Sequence, residues 1–128
     1  MTTLYASTRI FHLYSYGVSH GLLLLRSCKS ETDPLRVDIL FQDVRAMELR
    51  TWFEGIEIVE EEEAALLAGR PSRPVPMFDK GIRKYRLKGT GWEGFVVGGN
   101  VSFLEDDGAF DDPSGLIEEM IRTPVVPA

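Results

Sequence analysis

Residues 8–28 read TRIFHLYSYGVSHGLLLLRSC, and this stretch decides the fold class. Its first nine residues are mostly β-branched or aromatic, and period two puts Ile10, Tyr14 and Tyr16 on one side, as suits a pleated, half-buried strand. Gly17 and Gly21 bracket a short connection, after which LLLLRSC resumes an extended apolar run. Two such runs joined by a glycine-bounded turn predict a β-hairpin. The same logic extends outward. RVDILFQ (36–42) alternates, with Val37, Ile39 and Phe41 facing one way and Arg36, Asp38 and Gln42 the other. VRAMELR (44–50) and GIEIVE (55–60) predict two further short strands, separated by a turn near Glu54-Gly55. IRKYRLK (82–88) sets Tyr85 and Leu87 beside Arg83 on one face and Lys84, Arg86 and Lys88 on the other. WEGFVVGGNVSFLE (92–105) is a long strand pattern that Gly98-Gly99 loosens into an expected bulge.

Two segments change period. Glu60–Ala68 puts four glutamates before AALLA and Gly69, which suits a short helix with acids near its positive end. Asp112-Pro113 fits an N-cap and first helical position ahead of Leu116, Ile117, Met120 and Ile121, and Pro124 ends that stripe. RPSRPVP (70–76) is a proline loop. About seven short strands joined by short turns must pair antiparallel, because parallel neighbours need long crossovers. The expectation is a mainly β, or α+β, fold. It takes the form of a curved antiparallel sheet or partly closed barrel with two short helices, the C-terminal one packed on the sheet. A chain of 128 residues is one domain's worth, spanning 1–128.

Composition removes several function classes. A single cysteine can form neither an internal disulfide nor a cysteine-based zinc site. The aliphatic run Leu22–Leu25 is far short of the ~20 apolar residues that span a bilayer, so no membrane association is expected. The first residues lack a basic flank followed by an apolar core, which points to the cytoplasm and away from secretion. The net charge of −6 is unevenly laid out. Residues 60–63 are Glu60, Glu61, Glu62 and Glu63, and residues 105–112 hold five acids and no base. Between them, Arg70 to Lys88 carries seven basic residues against one acid. That block must face the chain's own acids or meet an external anion.

Motifs of catalysis fail on inspection. Gly17-Val18-Ser19-His20-Gly21 matches the nucleophile elbow, yet no histidine follows the serine except its neighbour, and a strand follows where a helix is required. Gly89-Thr90-Gly91-Trp92-Glu93-Gly94 matches a dinucleotide fingerprint but sits between two strand patterns, so a turn explains it. EDDGAFDDPSG lacks the carboxylates of a calcium loop at both ends, leaving an irregular cation site from Asp106, Asp107, Asp111 and Asp112 as the only version. His12 and His20 flank the first turn and could face each other, without a third ligand. Cys28 reads as a packed, unreactive thiol. Trp52, Phe53 and Trp92 stand at strand ends as core lids or, if exposed, interface anchors. No catalytic set, metal site or cofactor is expected.

Three stretches, YGVSHGLLLLRSCKSE, RVDILFQDVRAMELRTWFEGIEI and GFVVGGNVSFLEDDGAFDDPSGLI, share a pattern of strands and turns with small uncharacterised bacterial proteins. Among named classes the chain resembles the small acidic immunity-type proteins that neutralise a partner toxin by direct binding. The resemblance implies a non-enzymatic protein-binding module with another protein, of basic character, as partner. It carries no site residue across. The acidic residues Glu60–Glu63, Asp106, Asp107, Asp111 and Asp112 are the partner-binding candidates, and Arg83, Lys84, Arg86 and Lys88 the anion-binding ones. An open sheet edge would also suit a homodimer. Two alternatives stand beside this expectation. One is a small-molecule-binding or catalytic β-barrel. The other is nucleic-acid binding through 82–88, which the overall acidity disfavours.

Overall fold

The computed structural model describes residues 2–61 and 81–117. Among these residues eight strands form one antiparallel sheet: β1 (Thr2–Gly17), β2 (Leu22–Ser27), β3 (Arg36–Gln42), β4 (Ala46–Glu48), β5 (Trp52–Glu60), β6 (Arg83–Gly89), β7 (Trp92–Gly98) and β8 (Asn100–Asp106). The order is β4-β7-β6-β5-β1-β2-β3-β8, so the sheet is open, with β4 and β8 at its edges. The mainly antiparallel architecture is the expected one, with one strand more. The predicted helix over 60–68 begins in strand instead, since Glu60 ends β5, and 62–68 lies outside the described residues. Of the C-terminal helix, residues 115–117 are described and helical.

The curvature has a local cause. β1 starts at Thr2, six residues earlier than its pattern, and its register shifts between Thr3 and Tyr5, Ser7 and Ile10, and Leu13 and Ser15. Opposite the middle shift sits Gly55, at a φ of 75°, a left-handed conformation that glycine adopts without strain. The predicted Glu54-Gly55 turn is therefore a bend inside a continuous strand. Such extra residues increase twist and bend both strands. Gly98 and Gly99 likewise do not bulge one strand. They part β7, which pairs with β4 and β6, from β8, which pairs with β3. The shift at Leu13/Ser15 also breaks the parity expected along β1. Tyr16 pairs with the core residue Leu23, whereas Tyr14 lies beneath the guanidinium of Arg26.

Bent this way, the sheet folds over its own apolar face. Phe41 of β3 meets Tyr85 of β6 with ring centroids 5.5 Å apart, although three strands separate them in the sheet. Phe53 stacks between Phe11 at 6.1 Å and Trp92 at 4.4 Å. Leu23, Leu25, Val37, Ile39, Ile58 and Leu87 complete an interior filled with side chains. Each such side chain removed from water stabilises the fold by roughly 1.5–3 kcal/mol. The interior thus holds the fold together, and the polar groups of β1, β2, β3 and β8 are carried on the opposite face.

Candidate functional site

On that outer face the alternation of β2 and β3 places Arg26, Asp38 and Arg36. The pattern predicts a solvated polar side, but these residues are buried at 0–2% exposure. Register brings Arg26 directly opposite Asp38, and Arg36 directly opposite Asp106 of β8. Arg26 donates from Nε to Asp38 Oδ1 at 2.7 Å and from Nη2 to Oδ2 at 3.1 Å. Arg36 does the same to Asp106, with both distances 2.9 Å, and its Nη2 lies 3.8 Å from Asp38 Oδ2. Two guanidiniums thus meet two carboxylates, which leaves the cluster neutral, as charges out of water require.

The remaining donors of both arginines hold the chain that follows β8. Arg26 Nη1 donates to the carbonyls of Phe110 at 2.6 Å and Asp112 at 2.8 Å. Arg36 donates to those of Ala109, Asp112 and Pro113 at 2.6, 2.9 and 3.2 Å. Both guanidiniums converge on the single carbonyl oxygen of Asp112. Residues 107–114 are therefore a strap laid across the outer face and tied down through backbone acceptors. The strap closes on itself as well: Gly108 N donates to Asp106 Oδ1, and Ala109 N to Asp112 Oδ2. At 108 an added Cβ would come within 2.6 Å of the Arg36 guanidinium carbon, so any side chain there must displace that guanidinium from its place. The hydrogen bond from Arg36 holds the Asp106 carboxyl below its ordinary value, and the Gly108 amide adds to this.

The strap delivers Phe110 to the surface. Its ring packs edge-on to Tyr14 at 5.2 Å and to His12 at 5.6 Å, while the Arg26 guanidinium lies 4.1 Å from the Tyr14 centroid. His12 stands directly opposite Trp52 of β5, and Ile10 opposite Glu54. Trp52 is 52% exposed, Ile10 45% and Phe110 43%. The outer face thus carries a patch of the exposed Ile10, Trp52 and Phe110 and the half-buried His12, with Tyr14 at its base. Glu54, Asp111 and Asp112 are exposed around it.

The residues singled out by charge alone fall into two groups. Arg83 pairs with Glu60, and Arg86 Nε lies 3.3 Å from Glu61 Oε1 in an ion pair without hydrogen-bond alignment. Lys88 faces Glu57 on one side and Glu93 on the other, and Lys84 lies over the Phe95 ring at 5.3 Å. Most of the anion-binding candidates are thus matched by glutamates on the flanking strands or just past the end of β5, including two of the partner-binding candidates, Glu60 and Glu61. Glu62 and Glu63 lie outside the described residues. Asp106 and Asp112 are tied into the strap, while Asp107 and Asp111 are exposed on it. No ion pair among the described residues involves Asp107 or Asp111.

His12 and His20 do not face each other: His12 pairs with Arg26, and His20 sits in the hairpin turn, its carbonyl accepting from Asp43 N. Cys28 is exposed, not packed. Both glycine motifs are turns, at 18–21 and at Thr90-Gly91. Among the described residues no group of three or more His, Cys, Asp or Glu side chains could hold a metal ion, and no helix is long and apolar enough to cross a membrane. Arg26, Arg36, Asp38, Tyr14 and Phe110 escape a reading based on charge blocks. Their signal is cross-strand register, which sets each arginine opposite an aspartate. No protein-family model, curated protein or solved structure matches the chain.

Proposed function

We propose that this chain is a non-enzymatic protein-binding module that docks a basic partner on the outer-face aromatic patch, with immunity-type neutralisation of a cytoplasmic toxin as its concrete form. The observation that carries this is Trp52, half exposed on a sheet face opposite His12, whose ring packs against the exposed Phe110. Aromatic anchors surrounded by charge are the composition of an interface centre, where a few such residues carry most of the binding energy. The exposed acids Glu54, Asp107 and Asp111 supply a field that steers a basic partner and speeds its association. The interior of the sheet is filled with rings, so a ligand-holding barrel has no comparable support.

Quantitative capture from native lysate at low ionic strength tests the proposal, with wild type, Trp52→Ala and Arg83→Ala/Arg86→Ala compared. The expected result is a basic protein held by wild type and by the double variant, released by raised salt and lost with Trp52→Ala. Co-expression should then relieve that protein's toxicity. Retention indifferent to Trp52 would overturn the assignment.

A further inference from the structure

Arg26 is buried, but what it touches is at the surface. Its Nη1 holds the Phe110 carbonyl at 2.6 Å, its guanidinium plane lies over Tyr14 at 4.1 Å, and Asp38 fixes its other edge with two hydrogen bonds. Tyr14 and Phe110 in turn touch each other, and Phe110 touches His12, which faces Trp52. Arg36 holds the same strap through Ala109, Asp112 and Pro113, yet among the described residues none of its hydrogen bonds reaches Phe110 and it stacks on no ring. The two arginines therefore have separable consequences.

We infer that Arg26 is a positioning residue for the docking surface: it sets Phe110 and Tyr14 together, and so determines the shape that an arginine-bearing segment of the partner meets. The inference rests on the protein-binding function proposed above. Arginine is the chemistry the patch fits, because flat cations stack on exposed aromatic rings such as those of Trp52 and Phe110, and the exposed Glu54 and Asp111 supply the opposite charge. Lysine cannot replace Arg26. A single ammonium has no planar fork to bond Asp38 and Phe110 while stacking on Tyr14.

The test uses the full chain with octa-arginine as the probe, observed by aromatic and amide NMR at low ionic strength. In wild type the peptide should shift the Trp52 indole and the Phe110 ring. Arg26→Lys should keep the sheet amides, lose the Phe110–His12 and Phe110–Tyr14 ring contacts, and weaken peptide binding at least fivefold. Arg36→Lys should keep those ring contacts and bind within about twofold of wild type. Ring contacts that survive Arg26→Lys, or that Arg36→Lys loosens equally, overturn the positioning role. Ring contacts that respond as expected, with a wild-type Trp52 indifferent to the peptide, overturn the docking surface itself. If Arg26→Lys does not fold, the double variant Arg26→Met/Asp38→Leu carries the same test with both charges of the pair removed together, and an unchanged Phe110–His12 contact in that variant overturns the inference.

Discussion

Removing one partner of the Arg26–Asp38 pair should destabilise the protein far more than removing both. Asp38 is fully buried and accepts two hydrogen bonds from Arg26. Asp38→Leu leaves Arg26 as a buried cation held only by neutral carbonyls and a ring. Arg26→Met leaves Asp38 with Arg36 at 3.8 Å as its nearest cation, one already engaged by Asp106. Each single change should cost about 3–5 kcal/mol, the usual consequence of stranding a buried charge. That is a large share of a typical stability of about 5–15 kcal/mol. In the double variant Arg26→Met/Asp38→Leu both charges are gone. What remains lost is the pair of bonds to the Phe110 and Asp112 carbonyls, which belong to exposed residues that water can reach. That loss is about 1–3 kcal/mol. Equilibrium urea unfolding of all four proteins gives the cycle directly. With a slope of about 2 kcal/mol/M the single variants should lose roughly 2 M in midpoint and the double variant roughly 1 M. A double variant as unstable as the two single losses added together would refute a neutral, mutually compensating cluster.

Acid should unpick the second pair selectively. Arg36 holds the Asp106 carboxyl below its ordinary 3.8, so the stabilisation is present above the unfolded-state value and is lost as pH falls through the lower folded one. The gap in stability between wild type and Asp106→Asn should therefore be wide at pH 7 and close below about pH 4, and a gap constant from neutral pH to pH 2.5 would refute this. Gly108→Val should raise amide exchange at Ala109 and Asp112 while leaving the β5–β6 amides protected, because its side chain would drive into the Arg36 guanidinium; unchanged exchange would show that the strap yields freely. Arg83→Ala/Arg86→Ala should alter stability by less than about 1 kcal/mol, since both side chains are more than half exposed, and a larger loss by thermal melting would mean that these strands depend on their ion pairs.

The legible part of this fold is the part that period two encodes. The β1–β2 hairpin, the core side of β3 and the inward Tyr85 and Leu87 of β6 follow from alternation and turn residues alone. What alternation does not encode is whether the second face meets water. RVDILFQ has the same pattern whether Arg36 and Asp38 are solvated or sealed beneath a strap, because the strap comes from residues 107–114, some seventy positions later. Bulges are invisible for a related reason. One extra residue at Leu13/Ser15 reverses every side-chain assignment after it, which is how Tyr14 and Tyr16 come to differ. Charge blocks mislead in a third way. Counting along the chain makes 82–88 look like a surface waiting for an anion, whereas its flanking strands bring Glu57, Glu60, Glu61 and Glu93 alongside it.

The same geometry changes what a net charge of −6 means. Arg26, Arg36, Asp38 and Asp106 cancel inside the outer face, and Arg83, Arg86 and Lys88 are met by glutamates on β5, at its end and on β7. Charge cancelled this closely contributes little at a distance, because opposed pairs a few ångströms apart are screened within about 8 Å at physiological salt. Asp107 and Asp111, two of the exposed acids outside every described ion pair, stand on the strap, within three positions of Phe110. Part of the field that an approaching cation meets and one of the exposed rings, Phe110, are therefore carried by one short segment, which two buried arginines hold in place. A salt-sensitive association rate should accordingly map to Asp107 and Asp111, and a salt-insensitive dissociation rate to Trp52 and Phe110. If neutralising Asp107 and Asp111 left association unchanged while neutralising Glu57 and Glu93 slowed it, steering would belong to the β5–β7 face, and the strap would be no more than a cover for the arginines.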